Sequence, residues 1–533
     1  MFPYIIVNTA VYRSIALVLF WLLQLLTLSA FAAAPLAPSA PSPLVSALDA
    51  LWSARIVQGR DSGFGSLASV DRLDPQLTGD ESGATSDSPS WCFQAGTGMA
   101  PALLLYADAA ERLNDPVQWS RATALGRSLI GVQSWHAGGW PQDGAIIGNR
   151  WEPIGVWGSP GNRRHILPLM RDALTLDDGT SAACGMALLR LHEAAVRRAA
   201  RRGEPTLIST QWLDGAKYFA QQLLELDGDA VPQVIPRDRG LLQTHNQNAD
   251  LRSPDGPGYM AAATLNDNVA SHAVAFLAEC ARVSGDDRYQ ERARRLVLWL
   301  VQRPTDAFPG WSQQYDWHTG LPRWGRHMEP PAICTGEHGV VSTLLWWRLH
   351  RASNAEQTAI DAALSRYLSW LARAERPLDS ATNQPDARRV WRYYAPSPLH
   401  PSGPLLPAFA KDFALHVGAD KLALAAGGQP YIGEWDAIWL TRLRPVTTPR
   451  AGPSPLRPFD FDRAGRFVAD FPAGPLPRSA WPASRLPELL ATRDAASGLW
   501  PFTATVAGRQ RKLIDIGATV GRIRCLLNAV PHE

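Results

Sequence analysis

Thr175-Leu-Asp-Asp-Gly-Thr180 returns later in the chain as Thr264-Leu-Asn-Asp-Asn268. Each stretch stands immediately before a helical run. After the second, Val269, Ala273, Phe276, Leu277 and Cys280 follow the i, i+4, i+7, i+8, i+11 spacing of one apolar helix face. Tyr289, Ala293, Leu296, Val297 and Leu300 repeat that spacing, as do Ile360, Leu364, Tyr367, Leu368 and Leu371. Ala216, Phe219, Ala220, Leu223 and Leu224 give a matching stripe. The helices come in pairs and read as a degenerate repeat. Weaker copies of the helix start occur near Gly96-Thr-Gly98, Gly336-Glu-His-Gly339, Glu434-Trp-Asp436 and Asp515-Ile-Gly-Ala-Thr519. Several pairs end in a Gly/Pro/aromatic loop: Gly138-Gly-Trp-Pro-Gln142, Val231-Pro-Gln233, Gly310-Trp-Ser-Gln-Gln314 and Gly498-Leu-Trp-Pro501. Helical hairpins with aromatic return loops, and no alternating run long enough for a large sheet, predict an all-α fold of the α/α-toroid kind. In such a fold, inner helices and loops at one end line a shared cleft. Asp and Asn at helix starts also have a local explanation, because they cap free N–H groups.

The 533 residues are 46% hydrophobic and 19% charged, enough to bury a core and unlike a disordered chain. The net charge of +3 is too small for a nucleic-acid footprint. Twenty-one tryptophans suit a glycan binder, because indole faces stack on sugar rings, although a large helical core would absorb about half of them. The N-terminus reads as an export signal over 1–34. Arg13 precedes the apolar stretch Ile15 to Leu28, and small residues follow at Ala32 and Ala34. An uncleaved anchor is the competing reading. Residues 35–90 read as a Pro/Ser-rich linker and N-terminal loop, 91–170 as an N-terminal helical repeat, and 445–533 as a C-terminal segment with a further repeat. Export makes the expected location secreted or periplasmic, with no membrane contact after cleavage, no nucleic-acid partner and a monomeric chain. Five scattered cysteines without a C-x-x-C pair read as core thiols with at most a bridge or two.

The loop Gly-Gly-Trp-Pro-Gln, the helix start Thr-Leu-Asn-Asp-Asn-Val (264–269) and the segment Gly310-Trp-Ser-Gln-Gln-Tyr-Asp-Trp-His-Thr-Gly-Leu-Pro-Arg-Trp-Gly-Arg-His-Met-Glu-Pro-Pro331 together resemble the pectate lyases of polysaccharide lyase family 10. The resemblance covers roughly 170–440, about half the chain, within the expected toroid of 171–444, and the Gly-Gly-Trp-Pro-Gln loop stands ahead of it. It implies calcium-assisted β-elimination of an acidic polysaccharide such as polygalacturonate. By that resemblance Asp177, Asp178 and Asp267 would hold Ca2+. Trp311, Gln314, Asp316, Trp324 and Glu329 would bind substrate, and Arg326 would join the catalytic group. Counting back from Gln429-Pro430, the counterpart of the family's Arg-Pro, gives Lys421 where the family carries a basic arginine, with Lys411 as the fallback. The Gly-Gly-Trp-Pro-Gln loop departs from the family order, since here it precedes the first acidic helix start.

The chemistry explains why those residue types would be needed. Removing the C5 hydrogen of a uronate builds charge on its carboxylate, which a hard cation with carboxylate ligands offsets. A lysine amine has an ordinary pKa of about 10.4, and burial or a nearby cation lowers it, so activity is expected to rise toward alkaline pH. Arg326 suits a bidentate grip on a second carboxylate, and a structural pair with Glu329 is its plainer reading. Trp311, Trp317 and Trp324 read either as sugar platforms or as core. His318, His327 and His338 lack zinc-site spacing and read as loop residues. Two alternatives stand beside the lyase. One is a toroid hydrolase using Asp267 with Glu329 or Asp316 as acid and base. The other is a glycan-binding toroid that has lost its base.

Overall fold

The computed structural model describes residues 42–58, 61–64, 67–69, 92–133, 138–141, 143–147, 150–155, 173–203, 210–236, 238–242, 259–325, 331–335, 338–374, short strand segments between 376 and 469, 486–506 and 509–530. The chain divides into two compact units, Met1–Ser46 and Ala47–Glu533, and the account below concerns the second. Its helices are α1 (Pro43–Ser53, which begins in the first unit), α2 (Ala100–Arg112), α3 (Pro116–Gly131), α4 (Thr180–Arg202), α5 (Thr210–Leu224), α6 (Val269–Ser284), α7 (Asp287–Val301), α8 (His338–His350), α9 (Asn354–Ala374), α10 (Leu486–Ala491) and α11 (Ile516–Asn528). The stripes read from the sequence fall on α5, α6, α7 and α9. Among the described residues every sheet has only two or three strands.

The helices pack as hairpins: α2 with α3, α4 with α5, α6 with α7, and α8 with α9. The first helix of each hairpin also packs on the first helix of the next, and α11 packs on α2, so α11, α2, α4, α6 and α8 form an inner row. The second helices touch one another outside it. This is an all-α, α/α-toroid architecture. Burial follows the layering. Every residue of α6 from Val269 to Ala281 is buried, because helices flank it on several sides. Outer α7 buries a single stripe: Tyr289, Arg292, Ala293, Leu296, Val297 and Leu300. Segment 445–533 therefore supplies an inner helix through α11, and the strand Arg509–Asp515 pairs with Leu67–Ser69 near the chain's other end. Within 35–90, the stretch read as linker and loop contains the ordered helix α1.

The return loops are copies of one device. The indole N–H of Trp140 donates to Leu129 O (2.8 Å), that of Trp311 to Leu300 O (3.0 Å) and that of Trp500 to Leu489 O (2.9 Å), with the same sequence separation each time. Each ring closes the end of the helix before it. The loops also lock successive repeats together. Trp140 O accepts from Thr175 N, Val231 O from Thr264 N and Trp311 O from Cys334 N. Gly-Gly-Trp-Pro-Gln is thus the loop of the first hairpin, and Val231-Pro-Gln233 is the loop of the second. The first three hairpins each carry a copy, which is why the loop precedes the first acidic helix start.

At the far ends of the inner helices an ion-pair belt runs across four of them. Arg524 of α11 reaches Asp108 of α2 (3.0 Å), which pairs with Arg190 of α4 (3.2 Å). Glu111 of α2 takes Arg197 of α4 (2.6 Å), and Glu193 of α4 takes Arg282 of α6 (2.8 Å). Arg112 of α2 adds bonds to Leu527 O and Asn528 Oδ1 at the end of α11. Cys184 and Cys280 are buried free thiols, and burial pushes both thiols upward, so neither is a ready nucleophile. Among the described residues no helix is long and apolar enough to cross a membrane. The proposed export signal lies outside them.

Candidate functional site

The repeated sequence builds two matching turns at one end of the inner row. Short 3-10 turns, Asp177–Gly179 and Asn266–Asn268, lead into α4 and α6. In each, the third residue is left-handed (Gly179 φ 71°, Asn268 φ 60°) and donates its N–H to a leucine carbonyl three residues back. Two-residue strands precede both turns. Thr175 pairs with Val234 and Thr264 with Gln314, and Leu176 N and Leu265 N donate to Gln233 O and Gln313 O. The two turns touch each other. Asn268 Oδ1 then accepts from Gly339 N at the start of α8, which carries the contact to the next repeat.

This geometry fixes the register of the acids. Aligning Thr175 with Thr264 sets Asp177 against Asn266 and Asp178 against Asp267. Asp177 is 2% exposed, beneath the turn, and its N–H is held by Thr175 Oγ1 (3.0 Å). The register therefore pairs Asp178, rather than Asp177, with Asp267 as the acids of adjoining turns. The side chains of Asp178 and Asp267 lie outside the described residues, as do Arg326, Glu329, Lys411, Lys421, His327 and the His338 side chain.

The turn also explains Gly179. A Cβ there would lie 2.6 Å from Nδ1 of His272 on α6, on a backbone conformation costly for L-residues. Gly179→Ala is expected to lose at least about 1–2 kcal/mol from the left-handed conformation alone. Thermal unfolding checks this, and an unchanged midpoint would show that the two inner helices are not in contact there.

The sequence-derived substrate residues divide. Trp311 is buried, with its ring against Tyr367 (centroids 5.1 Å) and its N–H taken by Leu300 O, so it offers no face to a ligand. Trp324 sits in an apolar cluster with Ala332, Cys334, Tyr393 and Ala395. Trp317 is half-buried beside Gly228. His318 is exposed.

Asp316 organises a turn. Its carboxylate accepts from Thr319 N and Thr319 Oγ1 (both 2.7 Å), its carbonyl from Gly320 N, and its N–H goes to Leu321 O. Asp494 makes the same set of bonds with Ser497, Gly498 and Leu499. Burial alone would raise the Asp316 carboxyl. The Thr319 hydroxyl, the Thr319 and His318 N–H groups and the His318 charge outweigh it and hold the carboxyl below its ordinary value. An acid that stays ionised and fully engaged is a poor proton donor, which argues against the hydrolase reading that uses Asp316.

Gln314 is 1% exposed, and neither amide atom has a hydrogen-bond partner. Its neighbour Gln313 is the structural one. Gln313 Nε2 donates to Asn266 Oδ1 (2.6 Å), and Gln313 Oε1 accepts from Tyr393 Oη (2.7 Å). Sequence reading did not single out Asn266, Gln313, Tyr393 or the buried Arg323. The ungapped match of Thr-Leu-Asp-Asp to Thr-Leu-Asn-Asp was the signal for Asn266. For Tyr393 no local motif exists.

No protein-family model and no curated protein sequence matches the chain. Several solved structures align with it loosely, the following three among them. A mutant family 10 polysaccharide lyase from Cellvibrio cellulosa in complex with trigalaturonic acid is 16% identical, covering 56% of this chain and 82% of that one at TM-score 0.35. A sugar epimerase from a ruminal bacterium is 12% identical, covering 62% and 69% at TM-score 0.38. A family 76 glycoside hydrolase from a bovine Bacteroides thetaiotaomicron strain is 9% identical, covering 92% and 76% at TM-score 0.39.

Proposed function

We propose that this chain is an exported polysaccharide lyase that cleaves an acidic, polygalacturonate-like polysaccharide by calcium-assisted β-elimination. The observation that carries the proposal is the contact between the turns Asp177–Gly179 and Asn266–Asn268, which brings the backbones of Asp178 and Asp267 together from adjoining hairpins. The motif order of 264–331 supports the same reading. Carboxylate oxygens are the donors calcium takes. In this reading an ion would rest on Asp178 and Asp267, with substrate and water oxygens completing its shell. When bound, it would offset the charge that develops on the substrate carboxylate.

The chain's own residues divide the remaining work. Lys421, as the neutral amine, takes the C5 proton. The C5–H electron pair forms the C4–C5 double bond, and the C4–oxygen bond breaks to release the leaving chain. Arg326 grips a neighbouring carboxylate with its planar fork. A lysine base acts only when deprotonated, so the rate is expected to rise with pH toward the amine's pKa.

The test is an assay of the purified protein on polygalacturonate, with calcium or with chelator, across alkaline pH. Elimination leaves an unsaturated sugar end that absorbs in the ultraviolet. The expected result is absorbance that grows with pH and is abolished by chelator. Reducing ends without absorbance would replace the lyase by a hydrolase. Binding without turnover would leave a glycan-binding protein, and full activity in Lys421→Ala would remove the base.

A further inference from the structure

The turn that opens α6 is anchored from two neighbouring elements. Gln313, in the return loop after α7, accepts at its carbonyl from Leu265 N (2.7 Å) and Asn266 N (3.1 Å). Its side chain adds a third bond, Nε2 donating to Asn266 Oδ1 (2.6 Å). On the other side of the turn, Asn268 Oδ1 accepts from Gly339 N of α8 (3.1 Å). The backbone of Asp267 therefore stands between two tethered residues.

One more bond sets the direction of this clamp. Tyr393, on the strand Tyr393–Ala395 that follows α9, donates its hydroxyl to Gln313 Oε1 (2.7 Å). A phenol has one proton to give. Giving it to the oxygen end of the Gln313 amide leaves the –NH2 end facing Asn266, and that in turn holds the Asn266 oxygen toward Gln313. Tyr393 and Gln313 are 1% exposed and Asn266 2%, so water does not compete for these bonds. In such surroundings hydrogen bonds in series strengthen one another, and breaking one weakens the next.

The preceding repeat shows the same seats without the relay. Gln233 is the counterpart of Gln313, since its carbonyl accepts from Leu176 N (2.8 Å) as that of Gln313 accepts from Leu265 N. Yet Gln233 Oε1 is buried without a hydrogen-bond partner. Gln314 takes the place of Tyr393 there, opposite Thr264 as Tyr393 is opposite Cys334, and neither of its amide atoms is bonded. The step that Tyr393 makes to Gln313 is thus missing between Gln314 and Gln233. The relay belongs to the turn that carries Asp267 and is not a general requirement of the repeat.

We infer that Tyr393 and Gln313 are positioning residues: acting through Asn266, they fix the backbone from which Asp267 reaches a calcium ion. Neither touches the ion or a sugar. A carboxylate held in place before the ion arrives binds it more tightly, because less order has to be imposed on binding. The inference rests on the lyase reading for the ion but not for the relay. It also makes the strand after α9 a determinant of a site built at the start of α6.

The test is calorimetric titration of calcium chloride into wild-type protein, Tyr393→Phe, Gln313→Met, their combination and Tyr394→Phe. Amide hydrogen exchange of the calcium-free proteins over 264–268 runs alongside. Tyr393→Phe and Gln313→Met are each expected to weaken calcium binding about tenfold or more and to speed exchange at Leu265 and Asn266. The combination should bind little more weakly than Gln313→Met alone, because a relay already cut cannot be cut again. Tyr394→Phe removes the neighbouring phenol, whose hydroxyl reaches Ala374 O (3.4 Å), and should leave calcium affinity unchanged. Wild-type affinity in Tyr393→Phe would overturn the inference, as would additive losses in the combination or an equal loss in Tyr394→Phe. Should wild type bind no calcium while exchange at 265–266 still quickens in Tyr393→Phe, the relay stands and the calcium reading falls. Unchanged exchange in that variant would sink the relay itself.

Discussion

Trp311→Ala is expected to destabilise the fold severely while revealing no sugar-stacking role. The substitution empties a site for a fully buried indole, which costs about 3–5 kcal/mol in large-to-small core changes. It also strands the Leu300 carbonyl, which Trp311 now satisfies at 3.0 Å. Against a typical stability of about 5–15 kcal/mol, that is a large share. Trp311→Phe keeps most of the ring packing but removes the N–H donor, so its loss should be near the cost of one orphaned carbonyl, about 1–3 kcal/mol. Denaturant titration of both variants measures this directly. A sugar platform would behave differently, with unaltered unfolding and a raised KM in Trp311→Ala. The copies at Trp140 and Trp500 make the packing role testable three times, since each should respond in the same way.

Under the proposed lyase reading, Asp178→Asn and Asp267→Asn are each expected to reduce elimination about a hundredfold or more, partly restored by excess calcium. Even outer partners of a metal cost about 10–100-fold when removed, and a direct ligand should exceed that. Asp177→Asn is the discriminating control. Position 177 registers with Asn266, so asparagine there reproduces what the next repeat already carries. Its activity should stay within a few fold of wild type. The reverse pattern, with Asp177→Asn inactive and Asp178→Asn active, would move the metal to the buried acid and overturn the register argument. Initial rates across a calcium series separate lost affinity from lost turnover.

The helices were readable because a period of 3.6 with apolar spacing has few other physical outcomes. The stripes from Val269, Tyr289, Ile360 and Ala216 each became a helix with that face buried, save for half-buried Leu224 and Leu368. The hairpin order was readable because Thr-Leu-x-Asp recurs at the helix starts. The tryptophans were harder, since sequence shows that a ring is present but not which way its face turns. Even so, a signal existed: each return-loop tryptophan stands at one fixed distance after a leucine, namely Leu129, Leu300 and Leu489. Asp316 was misleading for a related reason. An acid beside Trp-His looks chemical until the Asp-x-x-Ser/Thr-Gly-Leu pattern is seen again at Asp494. Arg323 could not be found locally, because its place depends on cross-strand register with Gln314.

The belt joining α11, α2, α4 and α6 bears on the order of assembly. Arg524 and Asp108 stand 416 residues apart, so the seam they close forms only after almost the whole chain has been made. Until then the acidic face of α2 has no arginine from the far end, and the earliest hairpin waits unfinished on the latest helix. Long-range closure of this kind slows folding far more than it weakens the finished product. A shortened chain ending before Ile516 should therefore behave less like a trimmed protein than like an unclosed clasp, prone to stick to its neighbours.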